Sequence, residues 1–367
     1  MVPVCGLEAR HNEPMIRVRR VESEREIREL EPKWNRLFAE CPDASPFQSY
    51  AWQMGLVTVR KPNGKPILLL AEEGDELSGL WFLWEENTAW RSLRSAAVGP
   101  SDLLPPLART DEARNALAGH VSEIAPDYDL VDLHELPCRF DSLCAGEWRP
   151  QATRLVIDLP GSFEEYAATL SSSLRSDLKK GAKLGASFRL SSLETIEQDL
   201  QAFFTFHRQR WNKKFLPGSF FQPSIRAFHS WWAKKALEQD LLRFWNLEVD
   251  GRRIGCLYAM KSGTRTYFYQ SGFDPAESSL SPGSLLVGQA IRSAIEDGCL
   301  EFDMLRGDEP YKRRWKPTHT ESNDRYIQFG TGVRAQLARH WLQRAMKVED
   351  SLRERFEGGN SGKSGRQ

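Results

Sequence analysis

Two short stretches decide the fold: Asp129-Leu130-Val131-Asp132-Leu133 and Leu300-Glu301-Phe302-Asp303-Met304-Leu305. Both are apolar runs of strand length with a carboxylate inside, and Asp132 and Asp303 stand 171 positions apart. Outward from this pair the chain repeats itself. Ile16 to Val21 reads as a strand, followed by Glu22-Ser23 and a helix running through Trp34 and Phe38. Phe188 to Leu193 reads as its counterpart, followed by Glu194-Thr195 and a helix from Glu197 through Phe203 and Phe204 to Trp211. A Ser or Thr after each strand supplies an N-cap oxygen. Second helices over 47–60 and 225–239 then lead into hairpins that turn at Glu73-Gly74-Asp75 and Asp250-Gly251, where the chain needs positive φ. Val21 aligns with Leu193 at an offset of 172 and Gly79 with Gly255 at 176. The offsets agree to within a short loop insertion, so the spacing predicts an internal duplication of an α/β unit.

Length supports two such units: 367 residues suit two α/β domains of ordinary size. The expected boundaries are a flexible N-terminus over 1–14, a first domain over 15–137, a connecting segment over 138–186, a second domain over 187–340, and a helical, then flexible tail over 341–367. Hydrophobic residues make up 40% and charged residues 27%, a globular balance. Formal net charge is zero, so no global field draws the chain to nucleic acid. Apolar runs such as Ile67–Ala71 are strand-sized, so membrane insertion is not expected. The N-terminus lacks the continuous apolar core of a secretory signal, and six scattered cysteines show no paired metal-ligand spacing. We therefore expect free thiols, no metal and a cytoplasmic location.

The second unit offers a place for an anion. Ser281-Pro282-Gly283-Ser284 precedes a helix whose apolar face is Val287, Ile291, Ala294 and Ile295. Ser281 is a suitable N-cap, Pro282 at the first helical position sacrifices no needed donor, and Gly283 admits close approach of a ligand to the backbone. Unpaired helix N–H groups and the positive end of the dipole favour phosphate there. The corresponding loop of the first unit, Ser101-Asp102-Leu103-Leu104-Pro105-Pro106, lacks glycine and carries an acid. Only the second unit is expected to bind a phosphorylated ligand.

The stretch Tyr267-Phe268-Tyr269-Gln270-Ser271-Gly272-Phe273-Asp274-Pro275, then Ser281-Pro282-Gly283, then Glu301 to Trp315 with its Gly307-Asp308-Glu309-Pro310-Tyr311-Lys312 motif, resembles the GNAT-type acetyltransferase family linked to cellulose biosynthesis, the CelD or BcsL type. Ser171 to Lys180 and Phe206-His207-Arg208-Gln209-Arg210-Trp211 resemble two further motifs of that family. The likeness spans roughly 162–329, and the duplicated layout is similar to tandem-GNAT proteins that include FemAB-type aminoacyl transferases. The resemblance implies two tandem GNAT-like (acyl-CoA N-acyltransferase) domains, with mixed, mostly antiparallel central sheets flanked by helices. It also implies acetyl-CoA or another acyl-CoA in a V-shaped split between two central strands, bound by Gln270, Ser271, Gly272, Ser281, Pro282, Gly283 and Ser284. The commonest pyrophosphate loop of these proteins is Gln/Arg-x-x-Gly-x-Gly/Ala; this chain has Ser-Pro-Gly instead.

Direct acyl transfer needs a base for the attacking amine or hydroxyl, a donor for the carbonyl, and an acid for the departing thiolate. The resemblance assigns the acid to Tyr311. His207, with its near-neutral titration, and Asp308, past the end of a strand, are alternative bases. Arg306, Lys312 and Trp211 are expected to contact the acceptor, a small molecule or saccharide, and Trp231, Trp232 and Trp245 to serve either as core or as an aromatic platform. The sequence leaves two other readings: a FemAB-type transferase dependent on aminoacyl-tRNA, and a non-catalytic scaffold on the same fold.

Overall fold

The computed structural model describes residues 16–183, 185–212 and 218–361, without the side chains of 182–183, 210–212 and 349–361. The first unit runs β1 (Arg17–Val21), α1 (Glu24–Glu29), α2 (Glu31–Glu40), α3 (Tyr50–Arg60), β2 (Lys65–Glu73), β3 (Glu76–Asn87), β4 (Arg91–Ser95), β5 (Leu107–Ala108), α4 (Asp111–Ile124) and β6 (Leu130–Leu136). Next come β7 (Glu147–Asp158), α5 (Phe163–Thr169) and α6 (Ser172–Lys183). The second unit runs β8 (Ser187–Leu190), α7 (Ile196–Asn212), α8 (Pro223–Glu238), β9 (Leu242–Val249), β10 (Arg252–Ser262), β11 (Arg265–Phe273), α9 (Pro282–Glu296), β12 (Glu301–Arg306), α10 (Pro310–Arg313), β13 (His319–Phe329) and α11 (Val333–Ser361).

All strands join one sheet in the order β1-β2-β3-β4-β6-β13-β7-β12-β11-β10-β9-β8, with β5 beside β3. The order is a palindrome about the β13–β7 pair. Each half ends in an exchanged strand: β13 from the far end of the chain completes the first half, and β7 completes the second. The segment expected to be a connector, 138–186, thus holds a central strand. β7 and β13 escape a hydropathy reading because stretches such as Glu147-Trp148-Arg149-Pro150 and Asn323-Asp324-Arg325 carry polar and charged side chains, which pair with partners across the sheet.

The duplication extends to detail. Gly79 pairs with Ala71 and Gly255 with Leu247, each beside an irregularity in its hairpin. Asp132 and Asp303 are both buried, and each meets an arginine of the exchanged strand: Arg325 donates to Asp132 at 2.6 Å, and Arg154 to Asp303. Arg154 and Arg325 also stand 171 positions apart. One expected match fails. Leu193 lies in the exposed turn after β8, whereas Val21 is buried inside β1. The helix expected through Trp34 and Phe38 is broken at Leu30, where Pro32 opens α2 in its first turn.

Helices cover both faces. In the first unit α4 packs on one side, with Leu117 and Val121 against Ile67 and Trp81, and α2 and α3 on the other, with Trp34 and Met54 against Leu68 and Phe82. The two units also meet through α3 and α8, where the Trp52 and Trp232 rings lie 4.9 Å apart, edge to face. A Cβ on Gly55 would fall 2.2 Å from the Trp231 ring, so glycine permits this approach. Trp232 and Trp245 are core residues; Trp231 is half exposed.

Candidate functional site

β11 and β12 run parallel, but they pair only where Arg265–Tyr267 faces Glu301–Asp303. Past Asp303 they part. β11 carries an extra residue, Tyr269, between Phe268 (opposite Ala259) and Gln270 (opposite Tyr258). Such a bulge re-aims side chains and interrupts the ladder. On the other side of the split Leu305 adopts a left-handed φ of 54°, and the Asp303 carboxylate accepts from its N–H at 2.7 Å. β4 and β6 repeat the pattern: pairing stops at Arg94 and Asp132, and Glu135 has a φ of 56°.

The second split opens on a cavity of about 860 Å³. β11 contributes Phe268 to Ser271, β12 Met304 to Arg306, and the following turn Glu309 to Lys312. Phe220, Phe221, Gln222, Ile225 and His229 form the wall at α8. The first unit supplies Arg60, Gly99, Pro100 and Asp102. The site is therefore shared between the units, and the Tyr269 hydroxyl ties them by donating to the Pro100 carbonyl at 3.0 Å.

Two expected substrate contacts are already engaged. Arg306 donates through Nε to Asp102 at 2.9 Å and through Nη2 to the Ser101 carbonyl at 3.2 Å, and it pairs with Glu135 at 3.3 Å. The buried Lys312 ammonium donates to the carbonyls of Arg306 (2.6 Å) and Gly307 (3.3 Å) and pairs with Glu309 at 3.0 Å. Lys312 thus caps the end of β12. Trp211, the third, lies outside the residues whose side chains are described.

The three catalytic candidates do not come together. Tyr311 lines the cavity and is 39% exposed. Asp308 pairs with Arg313 and is not in the cavity wall. His207 is buried on α7, edge to face with Phe220 at 4.9 Å, beside a separate hollow of about 470 Å³.

Of the expected cofactor residues, Gln270 and Ser271 line the cavity. Gly272 does not: a Cβ there would sit 3.1 Å from the His207 backbone nitrogen, so glycine lets α7 lie against β11. Ser281 corrects a further expectation. It has a left-handed φ of 55° and its side chain makes no cap hydrogen bond, because it also ends the 3₁₀ turn Pro275–Leu280. Pro282 opens α9 as expected, and a Cβ on Gly283 would meet only the Phe273 ring, at 3.6 Å. Pro282, Gly283 and Ser284 are likewise not in the cavity wall.

Reading the sequence missed His229. It is fully buried on α8, its Nδ1 lies 3.3 Å from the Tyr258 hydroxyl, and burial pushes its pKa down to about 3. Nothing in its sequence neighbourhood distinguishes it from the apolar face of the helix. Asp158, Glu301 and His319 bring ligand-capable atoms within 4.8 Å of one another at the surface.

Residues 170–313 match the model of the acetyltransferase (GNAT) domain family. No curated protein matches the sequence. Among solved structures the chain is similar to FemX, with a TM-score of 0.61 at 10% identity over 82% of this chain and 96% of that one. It is also similar to the C-terminal domain of a putative lysylphosphatidylglycerol synthetase from Agrobacterium fabrum (TM-score 0.57, 14% identity, 85% and 95% coverage). A conserved protein of unknown function from Bacteroides thetaiotaomicron gives 0.53 at 9% identity, over 82% and 97%. Among the described residues no helix is long and apolar enough to cross a membrane. The chain is an α/β protein of two duplicated units that join one mixed sheet flanked by helices, with a fold similar to that of FemX, and residues 170–313 carry the match to a GNAT acetyltransferase domain.

Proposed function

We propose that this chain transfers an acyl group, an acetyl group in the simplest case, from an acyl-coenzyme A thioester to an amine or hydroxyl of a small acceptor. The observation that carries the reading is the split of β11 from β12, which opens at the bulged Tyr269 on a cavity of about 860 Å³. That volume suits a small-molecule site. Pro282, Gly283 and Ser284 fit the pyrophosphate, since the first turn of a helix has unpaired N–H groups and Gly283 has no crowding neighbour. Phe220, Phe221 and Tyr269 give the cavity an aromatic side that suits a sugar ring, in keeping with the cellulose-linked resemblance. In this reading Tyr311 faces the departing thiolate, His207 or Asp308 serves as base through a rearranged contact or water, and the protein works in the cytoplasm.

A second reading, transfer from aminoacyl-tRNA as in FemAB-type proteins, draws on the likeness to FemX and on the departure of Ser281-Pro282-Gly283 from the usual pyrophosphate loop. Calorimetric titration with acetyl-CoA separates the two. Binding supports the first; no binding, together with capture of a charged tRNA, supports the second.

A further inference from the structure

His229 is a polar side chain in an aromatic box. Phe220 (4.9 Å), Phe228 (5.0 Å), Tyr269 (5.6 Å), Tyr258 (5.7 Å) and Trp52 (5.8 Å) surround its ring, measured between centroids. Its exposure is 0%, yet it belongs to the cavity wall. Nδ1 has Tyr258 as its partner; among the described residues Nε2 has no hydrogen-bond partner. A buried polar atom left unpaired is destabilising, and native structures rarely leave one without a partner. Beside a cavity, such an atom is best explained by a ligand that completes it.

The tautomer decides what the ligand must offer. A buried phenol whose hydrogen-bond partner is Nδ1 leaves its own proton unpaired unless it donates, and on that ground the ring proton is assigned to Nε2. Burial keeps the imidazole neutral, so Nε2 is a donor with no charge to neutralise. The imidazole ring lies beside that of Tyr269, the bulged residue at the split.

We propose that His229 is a substrate-contacting residue whose Nε2–H donates a hydrogen bond to a carbonyl oxygen of the molecule in the cavity, with Tyr258 as the positioning residue that fixes its tautomer. The inference rests on the acyltransfer reading, which supplies the acyl carbonyl as the oxygen. No proton is transferred. The hydrogen bond strengthens as charge gathers on that oxygen, as expected of a fixed dipole in a dry site.

Nitrogen-15 NMR of the histidine rings tests this, with acetyl-CoA as the probe. The ligand-free protein is expected to show His229 neutral at pH 6–8 with its proton on Nε2, and Tyr258→Phe to mix the tautomers. Acetyl-CoA is expected to shift the Nε2 resonance. His229→Phe exchanges an unpaired Nε2 for an unpaired Tyr258 hydroxyl, so it is expected to fold with thermal stability little changed, while acetyl-CoA-dependent thiol release falls about 100- to 1,000-fold, the range over which one positioned donor acts. His229→Gln, which keeps a donor, recovers part of the loss. A proton on Nδ1, or acetyl-CoA binding with His229 unmoved and His229→Phe fully active, overturns the inference and leaves acyltransfer standing. Failure of acetyl-CoA to bind overturns both.

Discussion

Arg306 and Glu135, which occupy equivalent positions 171 residues apart in the two units, face each other with Nη1 and Oε1 3.3 Å apart. One ends the strand at the split of the second unit and the other lies at the matching point of the first. Asp102 completes the contact by accepting from Arg306 Nε. The duplication thus places a cation from one copy against two carboxylates from the other, at the wall of the shared cavity. Burial raises the pKa of Glu135 more than Arg306 lowers it, so the arginine holds a reluctant charge in place.

Arg306→Met should therefore loosen the junction. Breaking a fully buried ion pair costs about 3–5 kcal/mol, and solvent reaching Arg306 from the cavity reduces this to about 1–3 kcal/mol. Urea unfolding measures the loss. Asp102→Ala should lower stability in the same direction, because it removes the carboxylate that accepts from Arg306 Nε.

The matched aspartates should behave differently. Burial opposes the charge of Asp132, but His134 and Arg325 outweigh it and hold its pKa below the usual range. Its contribution is complete above the unfolded value of about 3.9 and fades as pH falls toward the lowered folded value. For Asp303 burial prevails over Arg154 and its pKa is raised, so folding loses stability as pH rises through the window above the unfolded value. At pH 7 Asp132→Asn should cost more than Asp303→Asn, and Asp132→Asn should flatten the acid limb of the stability curve. Equal costs with unchanged acid limbs would contradict this.

Gly283→Val separates binding from folding. Its φ is not left-handed and its Cβ would make an ordinary contact with Phe273, so stability should hold or rise by a few tenths of a kcal/mol, at about the helix propensity difference between glycine and valine. A branched side chain over the first turn of α9 should weaken acyl-CoA binding at least tenfold by calorimetry. Normal affinity would remove the pyrophosphate from this turn.

Tyr311→Phe keeps the ring and removes the hydroxyl from the cavity rim. If that hydroxyl protonates the thiolate, thiol release should fall about 10- to 1,000-fold with binding and melting temperature unchanged. A thiolate leaves without much help, which favours the lower end. An unaltered rate would remove Tyr311 from the chemistry.

The paired apolar strands around Asp132 and Asp303, the hairpins at Gly74 and Asp250-Gly251, and the start of α9 at Pro282 were legible because hydrophobic period and turn chemistry are local signals. The exchange of β7 and β13 was not. Those strands sit between the two halves, and polar side chains such as Arg154, Asn323 and Arg325 find partners across the sheet that sequence spacing does not reveal. The candidate site was half legible for the same reason. Tyr311, Gln270 and Ser271 line the cavity, whereas Arg60 and Asp102 enter it from the other copy, and His229 gains its meaning from a ring of aromatics drawn from distant segments. Lys312 has the opposite history: in a charged run it reads as a ligand contact, and in the fold it closes off backbone carbonyls.

Titration of the protein with acetyl-CoA, followed by calorimetry and thermal melting, tests the central claim most directly. A ligand that binds only the folded state must stabilise it, by about 2.7 kcal/mol at a hundredfold excess over its dissociation constant. The account predicts saturable heat and a higher melting temperature, both diminished in Gly283→Val. No heat and no shift with acetyl-, propionyl- or longer acyl-CoA at millimolar concentration would contradict it.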